Sequence, residues 1–208
     1  MSTTRSEEVF VLYASQMGTS EEAAQKFCDE VPTALSSKAI QELTDKKDVE
    51  ITVVPTMMTL DEFLEVKSAA WTRLVVIFVS SYGMGASPVG GHRFRDLCEE
   101  WKDQKEKDDK MEQVLTGLQY ALCGLGNSSF RTFFENPQTI DDGLQAAGAT
   151  RVGTLGKADA YKKGDESQPN VILKWREEIW KPLAEVLVQE PPSEEVLKEM
   201  QEKTNAAL

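Results

Sequence analysis

Apolar residues fall in short, dense runs separated by amphipathic stretches, the pattern of buried parallel strands alternating with helices. Val9-Phe10-Val11-Leu12-Tyr13 is rich in β-branched and aromatic residues and stops at a Ser/Gly/Thr cluster, so it predicts a first strand. A helix follows from Ser20, with Glu21 and Glu22 in its first turn and Ala23, Ala24, Phe27 and Val31 as an inward stripe up to Pro32. Residues 49–54 predict a second strand and residues 60–68 a short helix. Residues 73–79 are apolar on both faces, which places them mid-sheet under helices. Residues 80–91 read as a loop, 94–101 as a helix, and 102–110 as a solvated charge run or frayed helix end. A strand over 118–123, a helix over 137–147 ended by Gly148, and a short strand over 149–155 come next. The last helix, about residues 170–188, carries Ile172, Trp175, Ile179, Leu183, Val186 and Leu187 at helical spacing.

Five strands alternating with helices predict an α/β fold, an open parallel sheet in the order 2-1-3-4-5 with helices on both faces. The expected organisation is an N-terminal tail over 1–8, one domain over 9–188, and a polar tail or linker over 189–208 that opens with Pro191-Pro192. The 208 residues supply ample core for a single such unit.

The formal net charge of -12 argues against nucleic acid or an anionic membrane surface as partner, because both would repel the chain. A protein with a basic docking face is the more natural partner. Cys28, Cys98 and Cys123 form no CxxC pair, so neither a disulfide framework nor a zinc site is expected, and a cytoplasmic location is the default. They read as small buried apolar residues. No window approaches the roughly 18 apolar residues of a membrane span.

In an open α/β sheet, ligands bind beyond the carboxyl ends of the strands where the strand order reverses. Three loops line that crevice. The first, Ser15, Gln16, Met17, Gly18, Thr19 and Ser20, offers hydroxyls, a glycine and a following helix N-terminus, which together bind a phosphate without Lys or Arg. A capped helix start after a turn explains the same residues. No Gly-Lys-Ser/Thr follows and no G-x-G-x-x-G opens the helix, which disfavours nucleoside triphosphates and dinucleotides. The second loop, Ser80, Ser81, Tyr82 and Gly83, joins an aromatic face to flexible backbone. The third, Leu125, Gly126, Asn127, Ser128, Ser129 and Phe130, followed by Phe133 and Phe134, repeats that combination. Together they point to a flat, phosphorylated aromatic ligand, with FMN the best candidate. His92 reads as a surface or capping residue, and Trp175 and Trp180 as packing residues. No acid/base dyad and no metal-ligand cluster stand out, which suits a site whose chemistry belongs to its cofactor.

These loops resemble the FMN domain of the diflavin reductases, the family that includes NADPH–cytochrome P450 reductase. The likeness is carried by residues 12–23, by Ser80-Ser81-Tyr82-Gly83-Met84-Gly85, by residues 120–130, and by Lys174-Trp175-Arg176-Glu177-Glu178-Ile179-Trp180-Lys181-Pro182. It implies a flavodoxin-like fold in which residues 15–20 hold the FMN phosphate, Tyr82 and Phe130 stack on the two flavin faces, and Gly83 meets the flavin edge by its backbone. It further implies an oxidoreductase role, with electrons passing from NADPH to FAD in a separate module, then to FMN, then to an acceptor such as a haem protein. A free-standing flavodoxin-like carrier, a flavin module of a radical tRNA-modifying enzyme, and a non-redox scaffold are the alternatives. Met17 stands where the family usually has threonine, Met84 where it has an acidic residue, and Phe130 where it has tyrosine. The family's acidic cluster after the fifth strand is reduced to Asp159.

Overall fold

In the computed structural model, which describes residues 3–208, Leu74–Ser80 (β3) is the mid-sheet strand that its two apolar faces predict. It pairs in parallel with Thr3–Ala14 (β1) on one side and Gln119–Gly126 (β4) on the other. Val49–Thr59 (β2) lies outside β1, also in parallel. The fifth position, beside β4, is shared by Thr150–Arg151 (β5) and Gly156–Asp159 (β6). One strand is expected there from the sequence. Gly153, at φ 68, turns the chain out of the ladder and divides it in two.

Side chains alternate between two cores because the strands have a period of two. Val76 and Phe78 face Thr19–Ala34 (α1) and Gln168–Leu187 (α6), where Phe27, Trp175 and Leu183 are buried. Val75, Ile77 and Val79 face His92–Lys107 (α4) and Glu135–Ala146 (α5), where Phe94, Cys98 and Ile140 are buried. Each fully buried side chain of this kind stabilises by about 1.5–3 kcal/mol relative to exposure. Both tryptophans in α6 pack as expected. Trp175 meets Phe78 edge-on at 5.5 Å and donates its Nε1–H to the Thr154 carbonyl at 2.8 Å, while Trp180 stacks on Phe27 at 4.5 Å.

Several boundaries differ from the sequence expectation, each for a local reason. Residues 3–8, expected as a tail, extend β1, and Glu7 there accepts a bidentate pair of hydrogen bonds from Arg73 at 2.8 and 3.0 Å. Ser37–Thr44 (α2) has no counterpart in the expectation, since only Ile40 is buried and the apolar stripe is too thin to read. The expected helix over 60–68 is only Leu60–Phe63 (α3), started by a reciprocal capping box between Thr59 and Glu62, and a 3₁₀ turn follows over Ser68–Thr72. The charge run after Trp101 continues α4 as far as Lys107, with most of its side chains exposed and Lys102 paired to Asp142 at 3.2 Å. The tail expected as a linker holds Glu194–Ala207 (α7), which buries only Met200 and Thr204. Thr204 donates its hydroxyl to the Val114 carbonyl at 3.0 Å, and Met200 covers Gly117.

Gly143 in α5 lies directly against α4. A Cβ there would lie 2.2 Å from the Cys98 carbonyl oxygen of α4. Alanine normally gains about 1 kcal/mol over glycine inside a helix. Here the clash is with backbone, so Gly143→Ala is expected to lower stability by about 1–3 kcal/mol in urea unfolding. A variant as stable as the parent would contradict this packing.

Candidate cofactor site

Strand register brings the three loops to one level. Ala14 pairs with Val79, Val79 with Gly124, and Ser80 with Leu125, so β1, β3 and β4 end side by side. The loops that follow enclose a cavity of about 440 Å³. Ser15, Gln16, Met17 and Thr19 line it from the first loop, Ser80, Ser81, Tyr82 and Gly83 from the second, and Leu125, Gly126, Asn127, Phe130 and Phe133 from the third. No Asp, Glu, Lys, Arg or His is among the lining residues.

The first loop ends at Gly18, whose φ of 84 is the left-handed conformation that favours glycine, and which serves as the N-cap of α1. No side chain caps this helix, so its first N–H groups are open to a ligand, with the positive end of the helix dipole behind them. Ser20, in the first turn, is buried and its Oγ has no hydrogen-bond partner. Gly18 and Ser20 shape this wall without lining the cavity.

In the second loop, Tyr82 N–H donates to the Ala86 carbonyl at 2.9 Å, and Gly85 and Ala86 N–H donate back to the Tyr82 carbonyl at 3.1 and 3.0 Å. This tight turn presents the Tyr82 ring, which is 51% exposed. Phe130, from the third loop, is 63% exposed. Two exposed aromatic residues therefore line one uncharged cavity.

The third loop is braced from within. Asn127 Oδ1 accepts from Ser129 N–H at 2.9 Å and from its hydroxyl at 2.6 Å. Asp159, at the end of β6, accepts from the N–H groups of Ser128 and Tyr161, both at 2.9 Å. Desolvation pushes the Asp159 carboxyl up, but these hydrogen bonds and nearby Lys162 outweigh it and hold the carboxyl below its ordinary range. Ser128, Ser129 and Asp159 thus sit behind the wall, off the cavity lining. Phe134 does too. It is buried, its ring covers Gly124, and it occupies φ 67, an unusual conformation for a bulky residue.

The flavodoxin family model matches residues 11–172 of this chain. The chain belongs to the flavodoxin family. It is 29% identical over 187 residues to the NADPH–cytochrome P450 reductase of Saccharomyces cerevisiae, covering 89% of this chain and 23% of that protein. The corresponding protein of Musca domestica is 28% identical over 187 residues, covering 90% and 24%. The chain therefore spans about a quarter of the length of the curated relatives it matches. Among solved structures, a point mutant of flavodoxin from Pseudomonas aeruginosa superposes with a TM-score of 0.52 at 21% identity, covering 85% of this chain and 99% of that one. That likeness concerns the fold.

FMN is the cofactor of this flavodoxin domain, and the residues present fit it: an uncharged cavity with two exposed aromatic residues in its lining, beside an uncapped helix start with an unpartnered buried hydroxyl. Met17, in the cavity lining, and Met84, off it, are 87% and 88% exposed. Three cavity residues were not foreseen from the sequence. Thr132 lies within the third loop, while Ala160 and Gln168 come from beyond β6. Gln168 donates to the carbonyls of Gly126 and Ala158 at 3.2 and 3.1 Å, tying the ends of β4 and β6 together. Thr132 was legible as a hydroxyl between aromatics, whereas Ala160 and Gln168 carry no signal without the fold.

Because the Asp159 carboxyl is held below its ordinary 3.8, its ionised form stabilises the fold fully above that pH, and the contribution is lost as pH falls through the folded value. Comparison of the parent with Asp159→Asn by urea unfolding should show an advantage for the parent that is steady from about pH 7 to 5 and shrinks below about pH 4. An advantage that grows on acidification would contradict the assigned hydrogen bonds.

Proposed function

We propose that this chain is the FMN-binding electron-transfer domain of an NADPH-dependent diflavin reductase, taking electrons from a reduced FAD module and delivering them to a protein acceptor such as a haem protein. The observation that carries the reading is the convergence on one cavity of an uncapped helix start and two exposed aromatic residues. The length-wide identity to NADPH–cytochrome P450 reductases supports the diflavin class. FAD and NADPH belong to the separate module.

Within this reading Ser15, Gln16, Thr19 and the first N–H groups of α1 hold the phosphate, with Gly18 and buried Ser20 shaping that wall. Tyr82 and Phe130 cover the two ring faces and exclude water, and Gly83 meets the ring edge through its backbone. Met17, Ser80, Ser81, Leu125, Gly126, Asn127 and Phe133 complete the slot. When bound, FMN supplies the electron-transfer chemistry. The chain contributes no acid or base among the cavity-lining residues, so its work is binding and orientation.

The net charge of -12 favours partners with basic docking faces. Among the described residues no helix is long and apolar enough to cross a membrane. All three cysteines are free, in keeping with a reducing cytoplasm. Burial pushes the Cys28 thiol up to about 11 and Cys123 to about 12, with Cys98 also raised, so none offers a reactive thiolate near neutral pH.

Fluorescence titration tests the reading. One FMN per chain is expected to bind with quenching, and Tyr82→Ala should weaken binding by about 1–3 kcal/mol through lost stacking. Failure of the parent to bind FMN would sink the function. Unchanged affinity in the variant would sink the assignment of the ring face.

A further inference from the structure

One cation stands against the cavity wall without being part of its lining. Lys157 of β6 lies in register with Gly124 of β4, and its Nζ is 5.0 Å from the centre of the Phe133 ring and 4.8 Å from that of Phe134. Phe133 lines the cavity, and Phe134 is buried with its ring over Gly124. One aromatic side chain therefore belongs to the cavity and also carries the cation. A lysine on an exposed strand position is free to extend its head into water, yet here the stem folds back over two rings, as cation–π attraction favours. The neighbouring charges are occupied elsewhere. Lys162 pairs with Glu166 at 3.4 Å and Arg151 with Asp141, whereas among the described residues Lys157 has no salt-bridge partner. Asp159, two residues further along β6, turns its carboxylate to the N–H groups of Ser128 and Tyr161, and the Glu135 carboxylate lies beside Gly85 of the second loop.

We propose that Lys157 sets the charge environment of the cavity, its ammonium, held against Phe133, favouring reduced over oxidised FMN. This rests on the reading of the cavity as the FMN site. The oxidised flavin ring is neutral. Reduction by two electrons with uptake of one proton leaves that ring with one negative charge near neutral pH. No side chain in the cavity lining carries a charge to meet it, and apolar walls screen poorly, so an unpaired cation just outside the wall lowers the energy of the anionic form. Asp159 acts in the opposite sense, but two backbone N–H groups already balance its carboxylate. A lysine that only pinned the two phenylalanines in place would affect both forms of the ligand alike.

Lys157→Met keeps an apolar stem over the rings and removes the charge, and Lys157→Arg keeps both. Anaerobic titrations with oxidised and dithionite-reduced FMN, at about pH 8 and low ionic strength, should show the ratio of reduced to oxidised dissociation constants rising about tenfold in Lys157→Met, a shift of the two-electron potential by about 30 mV to more negative values. Lys157→Arg should stay within about threefold of the parent. In about 1 M salt, where the screening length falls to about 3 Å, the Lys157→Met ratio should return to within about threefold of the parent. A Lys157→Met ratio within about threefold of the parent at low salt, or a change of the same size in high salt, would overturn the proposal. In FMN-free protein, the two rings should shift the ε-methylene protons of Lys157 upfield in the NMR spectrum, and Phe133→Leu should remove much of that shift. Unshifted protons would overturn the placement of the cation even if the parent binds no FMN, an outcome that by itself would remove the FMN reading instead.

Discussion

The parallel register of β1, β3 and β4 is the constraint on which the site depends. Because Ala14, Val79 and Gly124 stand abreast, three loops of unrelated sequence leave the sheet at the same height and face one another. Register in turn rests on burial. Residues 9–12 of β1, 74–79 of β3 and 120–125 of β4 are buried on both faces, and a slip of one residue would exchange the side chains facing α1 and α6 with those facing α4 and α5. Core packing and cofactor placement are therefore one problem, solved by the same alternation.

The cavity carries no formal charge on its walls. In the proposed role, an anionic phosphate would meet N–H groups, hydroxyls and a helix dipole, groups that can hold it without Lys or Arg. Pre-organisation carries a cost in backbone strain. Phe134 in the left-handed region costs on the order of 1–3 kcal/mol; its buried ring packs on Gly124, and Thr132 before it and Asn136 after it each donate a hydrogen bond to the second loop. The carboxylate that remains near the site, Asp159, braces the third loop from behind.

Much of this was legible in the chain because the signals were local. β3, apolar on both faces, could only be central, and the absence of triphosphate and dinucleotide motifs left a flavin-type ligand. What escaped had thin or non-local signals. α2 and α7 each bury only one or two residues, so their stripes vanish among charged neighbours. The split of the last strand depends on one glycine. Among the candidate residues, hydroxyls and aromatics were readable as types, but not which of them face inward: Phe134 looks like Phe130 in sequence, yet one ring is buried and the other open. Gln168 enters the cavity from the start of α6 only because β6 delivers the chain there.

The central claim is that the three strand-end loops form one FMN site. An amide-resolved NMR titration of the intact chain with one equivalent of FMN tests it most directly. The account predicts that the large shift changes fall together on residues 15–20, 80–86 and 125–133, with α7 at the far end of the chain unmoved. Changes confined to one loop, or centred on α7, would contradict it.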